Sequence, residues 1–169
     1  MSELIIRPAA MADLDRCCAI ESACFPPEQA ASREAIRDRI AAYPDCFLLG
    51  LLAGEIVGYA MGPVIGQATI ADEMFADTGC HDPQGPYQSV FSLAVHPDFQ
   101  RRGYGRELLN ALISQARAAG LRWLCWAVTL TCRDHKVAYY ESFGFHNQGV
   151  AASVHGGVRW YDMLLPLTE

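Results

Sequence analysis

One stretch of this chain restricts its fold more than any other. The apolar run Gln88-Ser89-Val90-Phe91-Ser92-Leu93-Ala94-Val95 leads through the loop His96-Pro97-Asp98-Phe99 into Gln100-Arg101-Arg102-Gly103-Tyr104-Gly105-Arg106. The run is short and rich in β-formers, so it reads as one strand. Beyond the glycines, Glu107-Leu108-Leu109-Asn110-Ala111-Leu112-Ile113 begins an amphipathic helix, which is predicted to end at Gly120, a residue suited to follow a helix C-terminus. A helix N-terminus carries about half a positive charge and several unpaired amides, and glycines there let an anion approach the backbone closely. Strand, glycine turn and helix in this order make a candidate pyrophosphate cradle, with Arg101, Arg102 and Arg106 as countercharge. Charge-assisted hydrogen bonds from amides are worth about 1.5–3 kcal/mol each, against about 0.3–1 kcal/mol for the terminus dipole, so the amides would dominate. A merely structural strand-to-helix turn could carry the same glycines, so the motif needs its context.

The rest of the chain supplies it. Leu4-Ile5-Ile6-Arg7-Pro8 reads as a first strand. A helix follows within residues 12–24, with Leu14, Cys17, Cys18 and Ala19-Ile20 inward and Asp13, Asp15, Arg16 and Glu21 on the wet face, until Phe25-Pro26-Pro27 stops it. Ser32 caps a second helix running to about Tyr43. Residues 46–52 and 55–61 form a hairpin about the turn Ala53-Gly54. Residues 62–86, with three prolines and four glycines, read as a long, partly helical excursion of the kind that is more often functional than idle. After the glycine helix come a buried strand at 123–131, a short helix at 133–142 and, from Gly144-Phe145, a hairpin ending at Leu165. With no repeat or linker, the order predicts one α/β domain over 1–169 with a mixed, mostly antiparallel sheet flanked by helices.

Composition narrows the function. The 169 residues carry a formal net charge of −6, which argues against a nucleic-acid partner and suits a cationic one. No apolar run reaches the roughly 20 residues of a membrane span, and the N-terminus lacks the pattern of a secretory signal, so a soluble cytoplasmic protein is expected. Seven cysteines, an odd number without Cys-x-x-Cys spacing, are expected to be reduced and mostly buried. Neither His96 nor His135 with Cys132 makes a zinc spacing, and no metal is expected.

The glycine segment resembles the acetyl-coenzyme A signature of the GNAT superfamily, Gln/Arg-x-x-Gly-x-Gly/Ala, matching at Gln100, Gly103 and Gly105. Leu93-Ala94-Val95-His96-Pro97 resembles the strand before that signature, and Tyr139-Tyr140-Glu141-Ser142-Phe143-Gly144-Phe145 resembles the later Tyr-x-x-x-Gly-Phe element. Glu21-Ser22-Ala23-Cys24-Phe25-Pro26-Pro27, Asp72-Glu73-Met74-Phe75 and Leu130-Thr131-Cys132 look like the bacterial branch similar to arylalkylamine (serotonin) N-acetyltransferases. The resemblance implies a GNAT fold with splayed central strands and direct transfer of an acetyl group from acetyl-CoA to a small primary amine, an arylalkylamine or a polyamine. Backbone groups of Leu93, Ala94 and Val95 would bond the pantetheine arm, and the Leu93 amide would polarise the thioester oxygen. Tyr104 completes the phosphate loop.

Tyr140 aligns with the tyrosine that the family places near the departing sulfur, where a phenol, protonated at neutral pH, can act as general acid; packing at a helix end is the alternative. The histidine pair that animal arylalkylamine enzymes use as a base is replaced by Ser89 and Phe91. A water chain at Ser89, or Asp72, Glu73 or His81, could take its place. Arg133 stands where many members have an asparagine, and would reach the cofactor phosphates or form a surface salt bridge. Phe25 and Phe75 are the candidate walls of an amine pocket. Two further readings stay open: a catalytically silent acyl-CoA-binding module, and a protein lysine or N-terminal acetyltransferase. The assembly state is open too, a homodimer included.

Overall fold

The hairpin at the centre of the first half is set by its turn. Ala53 and Gly54 both take positive φ, 48° and 83°, the left-handed pair that matches the twist of the strands they join, β2 (Phe47–Leu52) and β3 (Glu55–Met61). The computed structural model describes residues 3–123 and 125–167, with side chains for all of these except 120–123. Met1, Ser2 and Leu124, which fall in the expected leaderless N-terminus and the expected strand at 123–131, lie outside the described residues.

The chain separates into two compact units, one of residues 1–62 with 92–114, the other of residues 63–91 with 115–169. In the first, β1 (Ile5–Pro8) pairs with β2, β2 with β3, and β3 with β6 (Ser92–Val95), all antiparallel, so that β6 ends the order β1-β2-β3-β6. α1 (Leu14–Cys24) and α2 (Arg33–Ala42) cover one face, and the Ser32 hydroxyl accepts from the Ala35 amide at 3.1 Å as the expected cap of α2. The first turns of α3 (Tyr104–Trp123) cover the other: a Cβ on Gly50 of β2 would come within 3.3 Å of Leu108. Leu108, Leu109, Leu112 and Ile113 are buried, as their helical spacing requires.

In the second unit the order is β4-β5-β7-β9-β8, from β4 (Val64–Ile65), β5 (Tyr87–Val90), β7 (Ala127–Cys132), β8 (His146–Val150) and β9 (Tyr161–Pro166). Among the described residues only β5 and β7 run parallel; the other ladders are antiparallel, in line with the expected mixed, mostly antiparallel class. The excursion is built of single 3-10 turns at Asp72–Ala76 and Thr78–Cys80, and α4 (Val137–Glu141) follows a further 3-10 turn.

Three expectations are corrected. The single strand expected at 88–95 is broken at Phe91: its first half pairs with β4 and β7, its second with β3, because a strand's edges can serve two sheets once its backbone bends between them. The helix expected to stop at Gly120 continues to Trp123, since a mid-helix glycine costs only about 1 kcal/mol, and β7 begins at Ala127 rather than 123. Asp13 and Glu21, read as solvent-facing, are 9% and 4% exposed. Asp13 is drawn in by the Arg7 guanidinium at 2.8 and 3.0 Å and the Ala10 amide at 2.8 Å, which holds its carboxyl below the usual carboxylate range.

Gly58 is fixed by packing rather than by conformation. A Cβ there would lie 2.5 Å from the Ala94 carbonyl oxygen, a backbone atom of the neighbouring strand. Gly58→Ala is expected to force β3 from β6 and lower stability by about 1–3 kcal/mol, read from urea or thermal denaturation.

Candidate functional site

The hydrogen-bond alternation of the β3–β6 pair decides which atoms the last strand of the first sheet presents. The His96 amide donates to the Val57 carbonyl at 2.8 Å. Ala94 and Ser92, two and four residues before it, stand opposite Tyr59 and Met61, so in an antiparallel ladder they too form hydrogen-bonded pairs with β3. Leu93 and Val95, opposite Ala60 and Gly58, occupy the alternate positions, and their N–H and C=O groups point away from β3. Among the described residues no strand of that sheet lies beyond β6. The Val95 carbonyl accordingly accepts from Gln100 Nε2 at 2.8 Å and from Cys24 Sγ at 3.2 Å. Gln100, the first residue of the glycine signature, is thereby a brace of its loop on the strand.

That loop carries the backbone shape its glycines foretold. Arg101 takes φ 63° and Gly103 φ 86°, two left-handed residues one apart, and α3 begins at Tyr104. Nothing lies within 4 Å of a Cβ built on Gly103, so conformation and not space calls for glycine there. The first intrahelical bond runs from the Glu107 amide to the Gly103 carbonyl at 3.1 Å. The amides of Tyr104 and Gly105 precede it and have no carbonyl in the helix to receive them. Arg101, Arg102 and Arg106 are exposed around them; Arg102 also lies 5.7 Å from the centre of the Phe99 ring and donates to the Asp98 carbonyl at 3.3 Å. An anion placed at this turn would meet a helix start, aligned amides and three guanidinium groups.

A second feature of the same unit was missed from the sequence. The Glu21 carboxylate is buried under α1 with the Ala31 amide on Oε2 at 2.8 Å, and the Tyr59 hydroxyl and, at 3.4 Å, the Ser92 hydroxyl on Oε1. Burial and then Glu21 push the Tyr59 phenol well above its usual range. A signal was present: Glu21 is seven residues from Leu14 and four from Cys17, on the stripe that faces the sheet. Phe25, a candidate wall, is half-buried at the end of α1, its amide bonded to the Glu21 carbonyl at 3.0 Å.

The other sequence candidates belong to the second unit. Ser89 is fully buried in β5 and its hydroxyl donates to the Pro63 carbonyl at 2.5 Å. Asp72 accepts from the Ser153 hydroxyl and, at 3.1 Å, from the Val154 amide; Glu73 is exposed. His81 Nδ1 accepts from the Val64 amide at 3.0 Å, and burial lowers its pKa, keeping the imidazole neutral at pH 7. Phe75 packs on Phe91 (ring centres 4.7 Å apart) and stacks on His155 (5.0 Å), which in turn meets Trp160. Tyr140, on α4, sits among Tyr139, Phe143 and Phe145; burial, then Cys132 and Tyr139, raise its phenol above the ordinary value. Arg133 caps the 3-10 turn before α4; its Nε is buried and without a partner among the described residues, and no ion pair of those residues involves it. Phe25 and Phe75 therefore fall in separate units. Among the described residues all seven cysteines are free, no group of three or more His, Cys, Asp or Glu side chains could hold a metal ion, and no helix is long and apolar enough to cross a membrane.

Comparison with known proteins adds to this geometry. The sequence profile of the acetyltransferase (GNAT) family matches residues 14–145. The [ribosomal protein bS18]-alanine N-acetyltransferase of Salmonella typhimurium is 33% identical over 84 residues, 47% of this chain and 56% of that enzyme. The first curated relatives are thus matched over roughly a third to a half of their own length, 36% and 56% for two of them. Among solved structures, the GNAT-like decarboxylase GphF in complex with isobutyryl-CoA superposes with a TM-score of 0.82 at 24% identity, covering 97% of this chain and 100% of that one. The Salmonella typhimurium protein yncA, solved with its cofactor acetyl-CoA, gives 0.69 at 23% identity, covering 99% and 96%. At these identities the structures establish a shared fold.

Proposed function

Because this chain belongs to the acetyltransferase (GNAT) family, we propose that it binds acetyl-CoA along β6 and the loop after it, and passes the acetyl group directly to a primary amine. The observation that carries the reading is the pair of outward backbone positions on β6, Leu93 and Val95, continued by the left-handed turn at Arg101 and Gly103 into the start of α3. A pantetheine arm is an amide chain that can add to a strand edge as a further strand would, and a diphosphate needs converging amides and cations. Both partners lie in sequence order on one continuous segment. In this reading Leu93 and Val95 bond the arm, with Ala94 between them turned to β3. The Leu93 amide stabilises the thioester oxygen as charge grows on it, and the amides of 103–106 with Arg101, Arg102 and Arg106 hold the diphosphate. Arg133, which the resemblance offers for the phosphates, has a buried Nε without a partner among the described residues. No metal is needed for this chemistry.

The proton for the leaving thiolate is assigned to Tyr140. Its raised pKa leaves the phenol protonated at neutral pH, so it serves as a donor and not as a base. Ser89 is less suited to the base role that the sequence suggested, because its proton is committed to the Pro63 carbonyl. The cluster of Phe75, Phe91, His155 and Trp160 offers a half-buried aromatic wall for an amine.

The acceptor we favour is a small-molecule primary amine, in keeping with the acidic net charge of −6. The likeness to a bS18-alanine N-acetyltransferase supports a second reading, the amino terminus of a protein, and it draws the branch away from arylalkylamine enzymes. The family match runs through both compact units, which supports treating 1–169 as one domain. Seven free thiols favour a reducing, cytoplasmic setting; a homodimer is a matter for sedimentation analysis.

Calorimetry with acetyl-CoA should detect binding by the whole chain. Gly103→Val, which forces a branched side chain into φ 86°, should weaken it about tenfold or more, from a strain of roughly 1–2 kcal/mol. No measurable binding by the unaltered protein overturns the reading. Thiol release from acetyl-CoA should depend on added amine; binding without such release assigns the chain instead to silent cofactor-binding modules, and release with a protein amino-terminal peptide but no small amine selects the second acceptor. Tyr140→Phe should lower turnover at least tenfold, about 1.4 kcal/mol or more in the barrier, with acetyl-CoA affinity unchanged; unaltered turnover removes Tyr140 from the reaction.

A further inference from the structure

We infer that Glu21, acting through the hydroxyl of Ser92, is the proton acceptor that readies the amine for attack, an assignment that rests on the acetyltransferase reading above. An alkylamine with a pKa near 10.4 is neutral in only about one molecule in 2,500 at pH 7, so direct transfer needs a group that takes a proton before the carbon–nitrogen bond forms. The carboxylate buried at Glu21 is positioned for that task. Its Oε2 is tied to the Ala31 amide at 2.8 Å, and Oε1 takes the Tyr59 and Ser92 hydroxyls. Of these three donors, Ala31 is backbone and Tyr59 is a fully buried phenol whose pKa is driven upward, so neither exchanges protons with an amine. Ser92 is different. At 3.4 Å it is the loosest of the three, and it lies on β6 immediately before Leu93, whose amide is turned to the proposed thioester position. A hydroxyl accepts and donates at once, so Ser92 can relay a proton to a carboxylate that an amine itself does not reach.

The step balances as follows. The ammonium gives a proton to Ser92 Oγ while the Ser92 proton passes to Glu21 Oε1. The freed nitrogen lone pair forms the N–C bond to the thioester carbonyl carbon, the C–S bond breaks with its pair going to sulfur, the Tyr140 phenol gives that sulfur its proton, and the second nitrogen proton restores the phenol. Once the amide leaves, Glu21 returns its proton through Ser92 to water. One proton is released per turnover.

The groups facing Glu21 do not compete for this proton at neutral pH. From β3 comes the Tyr59 phenol and from β6 the Ser92 hydroxyl. From its own helix come Cys17, Cys18 and Cys24, whose thiols burial pushes up, Cys17 to about 12 and Cys24 to about 11. On α2, Arg39 is buried with Nη1 3.9 Å from the Met61 sulfur. Phe25, one turn on along the same helix, is half-buried and is suited to flank the incoming amine.

The test measures thiol release from acetyl-CoA with a panel running from anilines, which are neutral at pH 7, to alkylamines, which are ammonium ions, between pH 6 and 9. Glu21→Gln and Ser92→Ala should each lose at least thirtyfold in kcat with alkylamines at pH 7 and less than threefold with anilines. The deficit should shrink by about tenfold per pH unit as the amine deprotonates itself. Acetyl-CoA affinity by calorimetry should stay within twofold. A loss equal for all amines and at all pH values marks Glu21 as a packing group and overturns the relay, as does no loss at all. Should Glu21→Gln fail to fold by circular dichroism, Ser92→Ala decides the matter by the same comparison. An unaltered protein that releases no thiol with any amine overturns the acetyltransferase reading itself, whereas an active one with a uniformly impaired Glu21→Gln overturns this assignment alone.

Discussion

The candidate site depends on the close approach of β3 and β6. An antiparallel ladder directs alternate residues of each strand toward and away from its neighbour, and the bond from His96 to Val57 sets which are which. Shift the pairing by one residue, and Leu93 and Val95 would spend their backbone groups on β3 while Ser92 and Ala94 faced outward. Gly58 guards that register: it stands opposite Val95 in the closer kind of pair, where a Cβ would strike the Ala94 carbonyl. The positions of the cofactor strand and of the Ser92 hydroxyl thus follow from one ladder.

The loop extends the same logic. Gln100 reaches back to the outward Val95 carbonyl, so the residue that opens the glycine signature also anchors the turn to the strand. Arg101 and Gly103 then reverse the backbone sense within three residues, and the helix starts before its amides have found partners. A turn of this kind stores polar groups that only a ligand or water satisfies.

A buried carboxylate is costly, and the fold surrounds Glu21 with donors from three places: the chain after α1, β3 and β6. Removing a charge's partners in such a place commonly costs several kcal/mol, so the arrangement ties α1 to the sheet whatever else it does. The proximity of Ser92 to that carboxylate is what links a structural tie to the chemistry proposed for the amine.

Much of this was legible in residue order. The hairpin about Ala53-Gly54, the cap at Ser32, the apolar stripe of α3 and the glycine signature are local: each follows from dihedral preference, capping or helical period within a few residues, and each stands where the sequence put it. The family itself was readable from Gln100, Gly103 and Gly105 with the elements around them. What only tertiary structure decided involves partners far apart in the chain. The break at Phe91 depends on β3 competing with β4 and β7 for one apolar run. The burial of Glu21, read as a wet-face residue, depends on donors 10, 38 and 71 residues away. Periodicity reports which side of a helix is apolar, but a charged residue on that side changes from solvated to buried only when distant donors arrive to meet it, and no local pattern encodes their arrival.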